Sequence, residues 1–72
     1  MKLEEAEAAL RFCEGKAVKF TKGIQSTIHI FVGFSIRRGS DVFRVKYHDG
    51  TYGDICVFDV DSVEKVERDV EQ

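Results

Sequence analysis

The side chains of this sequence best suited to act as nucleophiles or metal ligands belong to two cysteines and two histidines: Cys13, Cys56, His29 and His48. A cysteine–histidine pair would serve nucleophilic catalysis, and all four residues together would serve tetrahedral zinc binding. Neither arrangement has a local signature, because the sequence has no C-x-x-C pair and no histidine pair at ligand spacing. We therefore expect both cysteines to act as small buried apolar residues.

The carboxylates of Asp59 and Asp61 have the spacing that opens a calcium-binding loop. The glycine and the terminal glutamate of such a loop are missing at the required offsets, so a solvated turn is predicted instead. No glycine-rich phosphate loop is present either. We therefore predict a protein with no catalytic residue, no metal and no cofactor, which acts by binding.

The segment from Ser26 to Arg37 carries an apolar residue at every second position. This period of two predicts a long strand with one buried face. We expect the even-numbered residues to point inward, since all five apolar members of that set are large. The opposite face is otherwise polar, but it carries the ring of Phe31.

The following strand predicts a matching outward face. If Phe43, Val45 and Tyr47 point inward, then Arg44 and Lys46 point outward, next to the outward residues of the preceding strand. One ring among cations is typical of a protein-binding hot spot, and also of a platform for single-stranded nucleic acid. The alternatives are that the N-terminal helix or a second copy of the chain covers Phe31. The predicted partner-binding residues are His29, Phe31, Arg37, Arg44 and Lys46.

Charge is strongly segregated along the chain, although the net charge is only −2. Residues 16–48 hold seven cations and one carboxylate, whereas residues 49–72 hold eight carboxylates and two cations. A partner responds to the nearest surface rather than to the net charge. Two hypotheses follow: cross-strand ion pairs that neutralise the two regions, or head-to-tail association into a ring.

The elements that must position these residues form a single predicted domain, residues 1–72. The predicted elements are a helix over residues 2–14, ended by Gly15, five strands within residues 16–66, and a frayed tail over residues 67–72. Gly33 is the expected bending point of the second strand, and Gly53 indicates a bulge or a close backbone approach. Asp49-Gly50 predicts a two-residue hairpin turn with positive φ at both positions. The fold class is mainly β with one N-terminal helix, either a five-stranded small barrel or a strongly bent antiparallel sheet.

Three segments carry a resemblance to a known family: L-R-F-C-E-G-K-A-V-K-F, V-G-F-S-I and V-F-D-V-D-S-V-E-K-V. The chain resembles the SH3-like small barrels, and most closely their Sm-like branch, in which a short helix precedes five bent strands. The segment F-R-V-K-Y-H-D-G is also similar to Tudor-like barrels. In Sm-like proteins an R-G or K-G element near the last two strands holds a nucleotide, whereas this chain has Asp59-Val60-Asp61 there.

Composition places the chain among globular proteins, with 43% hydrophobic and 33% charged residues. No apolar run is long enough to span a membrane, and the N-terminus lacks the apolar core of a signal peptide, so a cytoplasmic location is predicted. The predicted function is a non-catalytic interaction module with a protein partner and no membrane contact. The alternative is an Sm-like RNA-binding ring, with nucleic acid as ligand and self-association of the chain.

Overall fold

The structure, a computed structural model, describes residues 1–66; the predicted tail over residues 67–72 lies outside the described residues. Five antiparallel strands form one bent, open sheet in the order β4-β3-β2-β1-β5. This confirms the predicted class, mainly β with one N-terminal helix. The elements are α1 (Leu3–Ala9), β1 (Ala17–Lys22), β2 (Gln25–Arg37), β3 (Ser40–Lys46), β4 (Tyr52–Cys56), a 3₁₀ turn (Val57–Asp59) and β5 (Ser62–Lys65).

The helix is shorter than predicted, because it ends at Ala9 rather than near residue 14. The carboxylate of Glu5 accepts a hydrogen bond from the Lys2 N–H at 2.9 Å and so caps its start. Phe12, not Gly15, is the first residue after α1 with a left-handed backbone, at φ +65°. An apolar stripe follows this segment and faces the core: Ala6, Leu10 and Cys13 are buried, and Leu3 is half-buried.

Strand β2 changes partner along its length. Its first half pairs with β1 through Ile30, and its second half pairs with β3 from Ile30 onward. The register with β3 shifts between Phe31 and Gly33, so Val32 is the extra residue of a bulge. The predicted bend at Gly33 is therefore confirmed, and it separates two halves with different partners.

The predicted phase of β2 is wrong in its first half, and near the end of the strand Ile36, which was predicted to point inward, is 68% exposed. Phe31 is only 1% exposed and packs in the core, whereas Ile28, Ile30 and Val32 are 46%, 37% and 37% exposed. Alternation alone cannot choose between two opposite phases. The bulge decides the choice, because it lets both Phe31 and Phe34 point inward, while an unbroken strand would leave one ring outside.

The core of the sheet is an aromatic cluster. The ring centroids of Phe31 and Phe34 lie 5.2 Å apart, and those of Phe20 and Phe43 lie 5.1 Å apart, both with edge-to-face geometry. The backbone of Phe31 is fixed as well, since its N–H donates to the Lys16 carbonyl and its carbonyl accepts from the Gly15 N–H. Strand β1 contributes Val18 and Phe20 to the core, β3 contributes Phe43 and Val45, and the 3₁₀ turn contributes Val57.

The turn between β3 and β4 also differs from its prediction. Only Gly50 has a positive φ, at +90°, and Tyr47 donates its N–H to the Thr51 carbonyl across a three-residue loop. This is the hairpin in which a type I turn is followed by a left-handed glycine. The side chain of Asp49 stabilises the loop, because its carboxylate accepts hydrogen bonds from the Thr51 hydroxyl and N–H. These two hydrogen bonds lower the pKa of Asp49.

Gly53 confirms the prediction of a close approach. A Cβ built at this glycine would overlap the hydroxyl oxygen of Tyr47. The Tyr47 ring therefore lies directly on β4 at one end of the sheet, where any larger residue would displace it.

Candidate functional site

The structure separates the five predicted binding residues into two groups. Phe31 lies opposite Val45 and is buried in the core, so it does not belong to an outward surface. His29 lies opposite Val18, is half-buried, and lines one cavity together with Lys46. Arg37, Arg44 and Lys46 do remain accessible to solvent, and Arg44 and Lys46 point outward as predicted. The predicted ring-and-cation surface is therefore not formed.

His29 lies at the rim of the core. Its ring centroid is 4.9 Å from that of Tyr47 and 6.1 Å from that of Phe20. Burial lowers the pKa of His29, and the nearby His48 lowers it further. Its Nδ1 is buried and has no hydrogen-bond partner among residues 1–66. His29 therefore acts as a neutral packing residue that joins Tyr47 to the core.

The two arginines share one carboxylate. The Nε atoms of Arg37 and Arg44 lie 3.1 Å and 3.4 Å from the two oxygens of Asp54. The Arg44 Nε is buried and lacks the alignment of a hydrogen bond, so its contact is an ion pair only. On β1, Lys19 pairs with Glu64 at 3.7 Å. These pairs confirm the hypothesis that cross-strand ion pairs partly neutralise the basic and acidic segments.

The outward face of β2 is aliphatic. We call Ile28, Ile30 and Val32 the outer strip; all three are more than a third exposed. Ile30 is the centre of the strip, because Ala17 of β1 and Lys46 of β3 are its direct cross-strand neighbours. The outer strip thus occupies the place where the sequence analysis predicted Phe31 as the apolar anchor.

Two cations are direct cross-strand neighbours of the outer strip: Lys19 lies opposite Ile28 and pairs with Glu64, whereas Lys46 lies opposite Ile30. The Nζ of Lys46 lies 5.9 Å from the ring centroid of Tyr52, a cation–π distance, and it has no carboxylate partner within residues 1–66. A cavity of about 430 Å³ adjoins this side of the sheet. Its lining combines the strip with the hairpin end: Ala17, Ile28, His29, Ile30, Lys46, Tyr47, His48 and Val66.

No group of three histidine, cysteine, aspartate or glutamate side chains is close enough to hold a metal ion within residues 1–66. Cys13 is buried and Cys56 half-buried, both as free thiols. What the geometry offers is a surface: an aliphatic strip, one unpaired ammonium group and a shallow cavity.

The outer strip was not predicted from the sequence, although one signal for it was present. Gly33 indicated a bend, and a bulge at a bend reverses the inward side of every later residue. Considered together with Phe34, that glycine shows that both rings can be buried only if the isoleucines of the first half point outward.

The chain matches no known family model, no curated protein and no solved structure. In the part of the chain that the structure describes, the helix is far too short to cross a bilayer.

Proposed function

We propose that this protein is a non-catalytic interaction module that binds a protein partner through the outer strip and Lys46. The observation that supports this proposal most strongly is the outward placement of Ile28, Ile30 and Val32 side by side on one face of the open sheet. Contiguous exposed apolar surface is costly in water, and in soluble proteins it usually marks an interface.

Charge defines the chemistry of the partner. Arg37 and Arg44 are already compensated by Asp54, whereas Lys46 is free for an incoming carboxylate. The partner surface is therefore one apolar side chain or helix face that covers Ile30, with a carboxylate at its edge for Lys46. Tyr52 holds the ammonium group in place beside the strip.

The double variant Ile28→Thr/Ile30→Thr tests the proposal. Threonine keeps the β-branched shape that suits a strand and removes apolar surface from the strip. Tagged wild-type and variant proteins are used to capture partners from the host lysate, and the captured proteins are quantified by mass spectrometry. We expect the partner to be lost from the double variant and reduced with Lys46→Glu.

The matched control is Ile24→Thr. Ile24 is fully exposed in the β1–β2 turn, away from the strip, so the same chemical change there should leave capture unchanged. Binding of the purified partner is then measured by calorimetry. A partner that binds the double variant as tightly as the wild type would refute this function.

An Sm-like RNA-binding ring is the second candidate. In its favour, β4 and β5 lie at opposite sides of the open sheet, so each has a strand edge to offer a neighbouring copy. The same strand order supports assigning the fold to the SH3-like barrels. The ion pairs of Lys19, Arg37 and Arg44 leave fewer free cations for phosphates.

Light scattering at two salt concentrations separates the candidates. An Sm-like ring requires oligomers in solution. It also requires an affinity for oligoribonucleotides that falls steeply as the salt concentration rises. A monomer that binds no RNA at low salt would leave the protein-binding module as the remaining function.

A further inference from the structure

A second apolar surface lies on the other side of the molecule, along α1. Two adjoining cavities of about 570 and 490 Å³ share Glu7 and Phe34 and run between α1 and the second half of β2. Leu3, Leu10 and Phe31 extend their apolar lining. We call this feature the α1–β2 groove.

The rim of the groove carries side chains that the fold leaves in solvent. Phe12 is 87% exposed and Ile36 is 68% exposed, and each lines one of the two cavities. Phe12 also has a left-handed backbone, at φ +65°, which is unfavourable for a bulky L-residue. A strained, fully exposed ring beside an apolar groove is the kind of outlier that indicates a binding role.

The backbone of β2 is unpaired along this groove. Two hydrogen bonds at Phe31 are the last on this side of β2: its carbonyl accepts from the Gly15 N–H, and its N–H donates to the Lys16 carbonyl. The preceding chain lies away from β2 toward Phe12. The alternation of an antiparallel pair directs the N–H and C=O groups of Phe34 and Ile36 away from β3. Within residues 1–66 those groups have no hydrogen-bond partner across the groove.

The walls of the groove are acidic. Glu7, Glu14 and Asp41 line the two cavities, and Arg11 is the single cation among their lining residues. A ligand for this place must therefore supply backbone hydrogen bonds, apolar side chains and positive charge at the same time. An extended peptide meets all three requirements, because its side chains alternate between two faces.

We propose that the α1–β2 groove binds an extended cationic peptide segment, which adds a strand to the free edge of β2 in line with β1. Apolar side chains of the peptide pack on Phe34 under the Phe12 ring. Lysine or arginine side chains at the alternate positions meet Glu7 and Glu14. This mode of recognition, in which a peptide extends an exposed sheet edge, obtains affinity from the backbone and specificity from alternate side chains.

A displayed library of random decapeptides tests the proposal. Selection on the wild-type protein, followed by depletion on the Phe12→Gly variant, should enrich sequences that alternate apolar residues with lysine or arginine. A selected peptide is then added to ¹⁵N-labelled protein, and amide exchange is followed by NMR. We expect the amides of Phe34 and Ile36 to shift and to gain protection, while those of Tyr52 and Asp54 on the β4 edge do not change.

The Phe12→Gly variant separates binding from folding. Glycine accepts a positive φ without strain, so the variant should unfold at the same or a higher temperature while its affinity for the peptide falls about tenfold. Ile24→Thr, which changes a distant exposed residue, should bind as the wild type does. An acidic analogue, with glutamate at each basic position, should bind at least about tenfold more weakly because it meets like charges.

Several results would overturn this inference. They are the absence of any enriched sequence, enrichment of acidic sequences, protection on the β4 or β5 edge, and unchanged binding by Phe12→Gly. The inference is independent of the outer strip: Ile28→Thr/Ile30→Thr should retain the peptide, so each surface can fail without the other.

Discussion

The two halves of β2 bury opposite sets of residues. In the first half the odd-numbered Phe31 points inward and Ile30 outward, whereas beyond the bulge the even-numbered Phe34 joins the core. One extra residue, Val32, accounts for the difference. The comparison shows that a long strand can serve two strand pairs and place both of its rings on the inner side, Phe31 fully buried and Phe34 half-buried, while the isoleucines of the first half are exposed.

The largest expected effect comes from truncating the buried ring in the first half of β2. Phe31→Ala should lower the free energy of unfolding by about 3–5 kcal/mol, because it removes a fully buried ring and leaves a cavity. That loss is comparable to the whole stability of a small domain, so little folded protein should remain. Circular dichroism during urea titration measures it.

Ile30→Ala is the matched control for that experiment. Its side chain is one of the outer strip, so its loss should cost about 1 kcal/mol or less. If Ile30→Ala destabilised the protein more than Phe31→Ala, the assignment of inward and outward faces would be reversed.

A smaller effect is expected in the second half of β2. Phe34 is only half-buried, and it packs on Phe31 and Phe43 with ring centroids 5.2 and 5.5 Å apart. Phe34→Ala should therefore cost about 2–3 kcal/mol, less than Phe31→Ala. The midpoints of urea unfolding give the order directly, and an equal loss at both positions would remove the difference between the halves.

On β4, Gly53→Ala should lower the free energy of unfolding by about 1–3 kcal/mol, the usual penalty of overpacking. The added methyl group meets the Tyr47 ring, which packs on His29. The same substitution in a Tyr47→Ala background should cost much less, because the opposing ring is gone. Equal costs in the two backgrounds would show that this contact does not require glycine.

The smallest effect is a pH dependence at His29. Because burial lowers its pKa below the usual 6.5 in the folded state, the unfolded chain binds the proton more readily. Stability should be complete above pH 6.5 and should fall as the pH drops from 6.5 through the lowered pKa. His29→Gln should flatten this part of the curve, whereas a wild-type stability that rises on acidification over the same range would contradict the burial of His29.

Most of the sheet could be predicted from the sequence. Period-two patterns predicted the five strands. Gly33 and Gly53 predicted the bend and the close approach, because a glycine inside a strand usually marks a bulge, a bend or a close contact. The end of α1 could not be predicted, since a left-handed Phe12 contradicts the preference of that residue. Asp49-Gly50 allowed two hairpin geometries, and the side chain of Asp49 is compatible with the longer loop.

The position of the outward face of β2 and β3 was predicted from the sequence, but the residues that compose it on β2 were not. Outward Arg44 and Lys46 followed from β3, where Phe43 and Val45 leave no choice of phase. Strand β2 offered two apolar faces, one rich in isoleucine and one with Phe31, so its phase depended on the tertiary pairing with β1 and β3. The ion pairs that neutralise Arg37 and Arg44 likewise depend on the register that places Asp54 beside them.

The most direct test of the account is the solvent exposure of neighbouring side chains on the first half of β2. A soluble gadolinium chelate is added to protein with labelled isoleucine methyl groups and phenylalanine rings, and the relaxation of each signal is measured by NMR. We predict strong broadening of the Ile28 and Ile30 methyl groups and almost none of the Phe31 ring. A broadened Phe31 ring beside protected isoleucine methyl groups would contradict the account, and the outer strip would not exist.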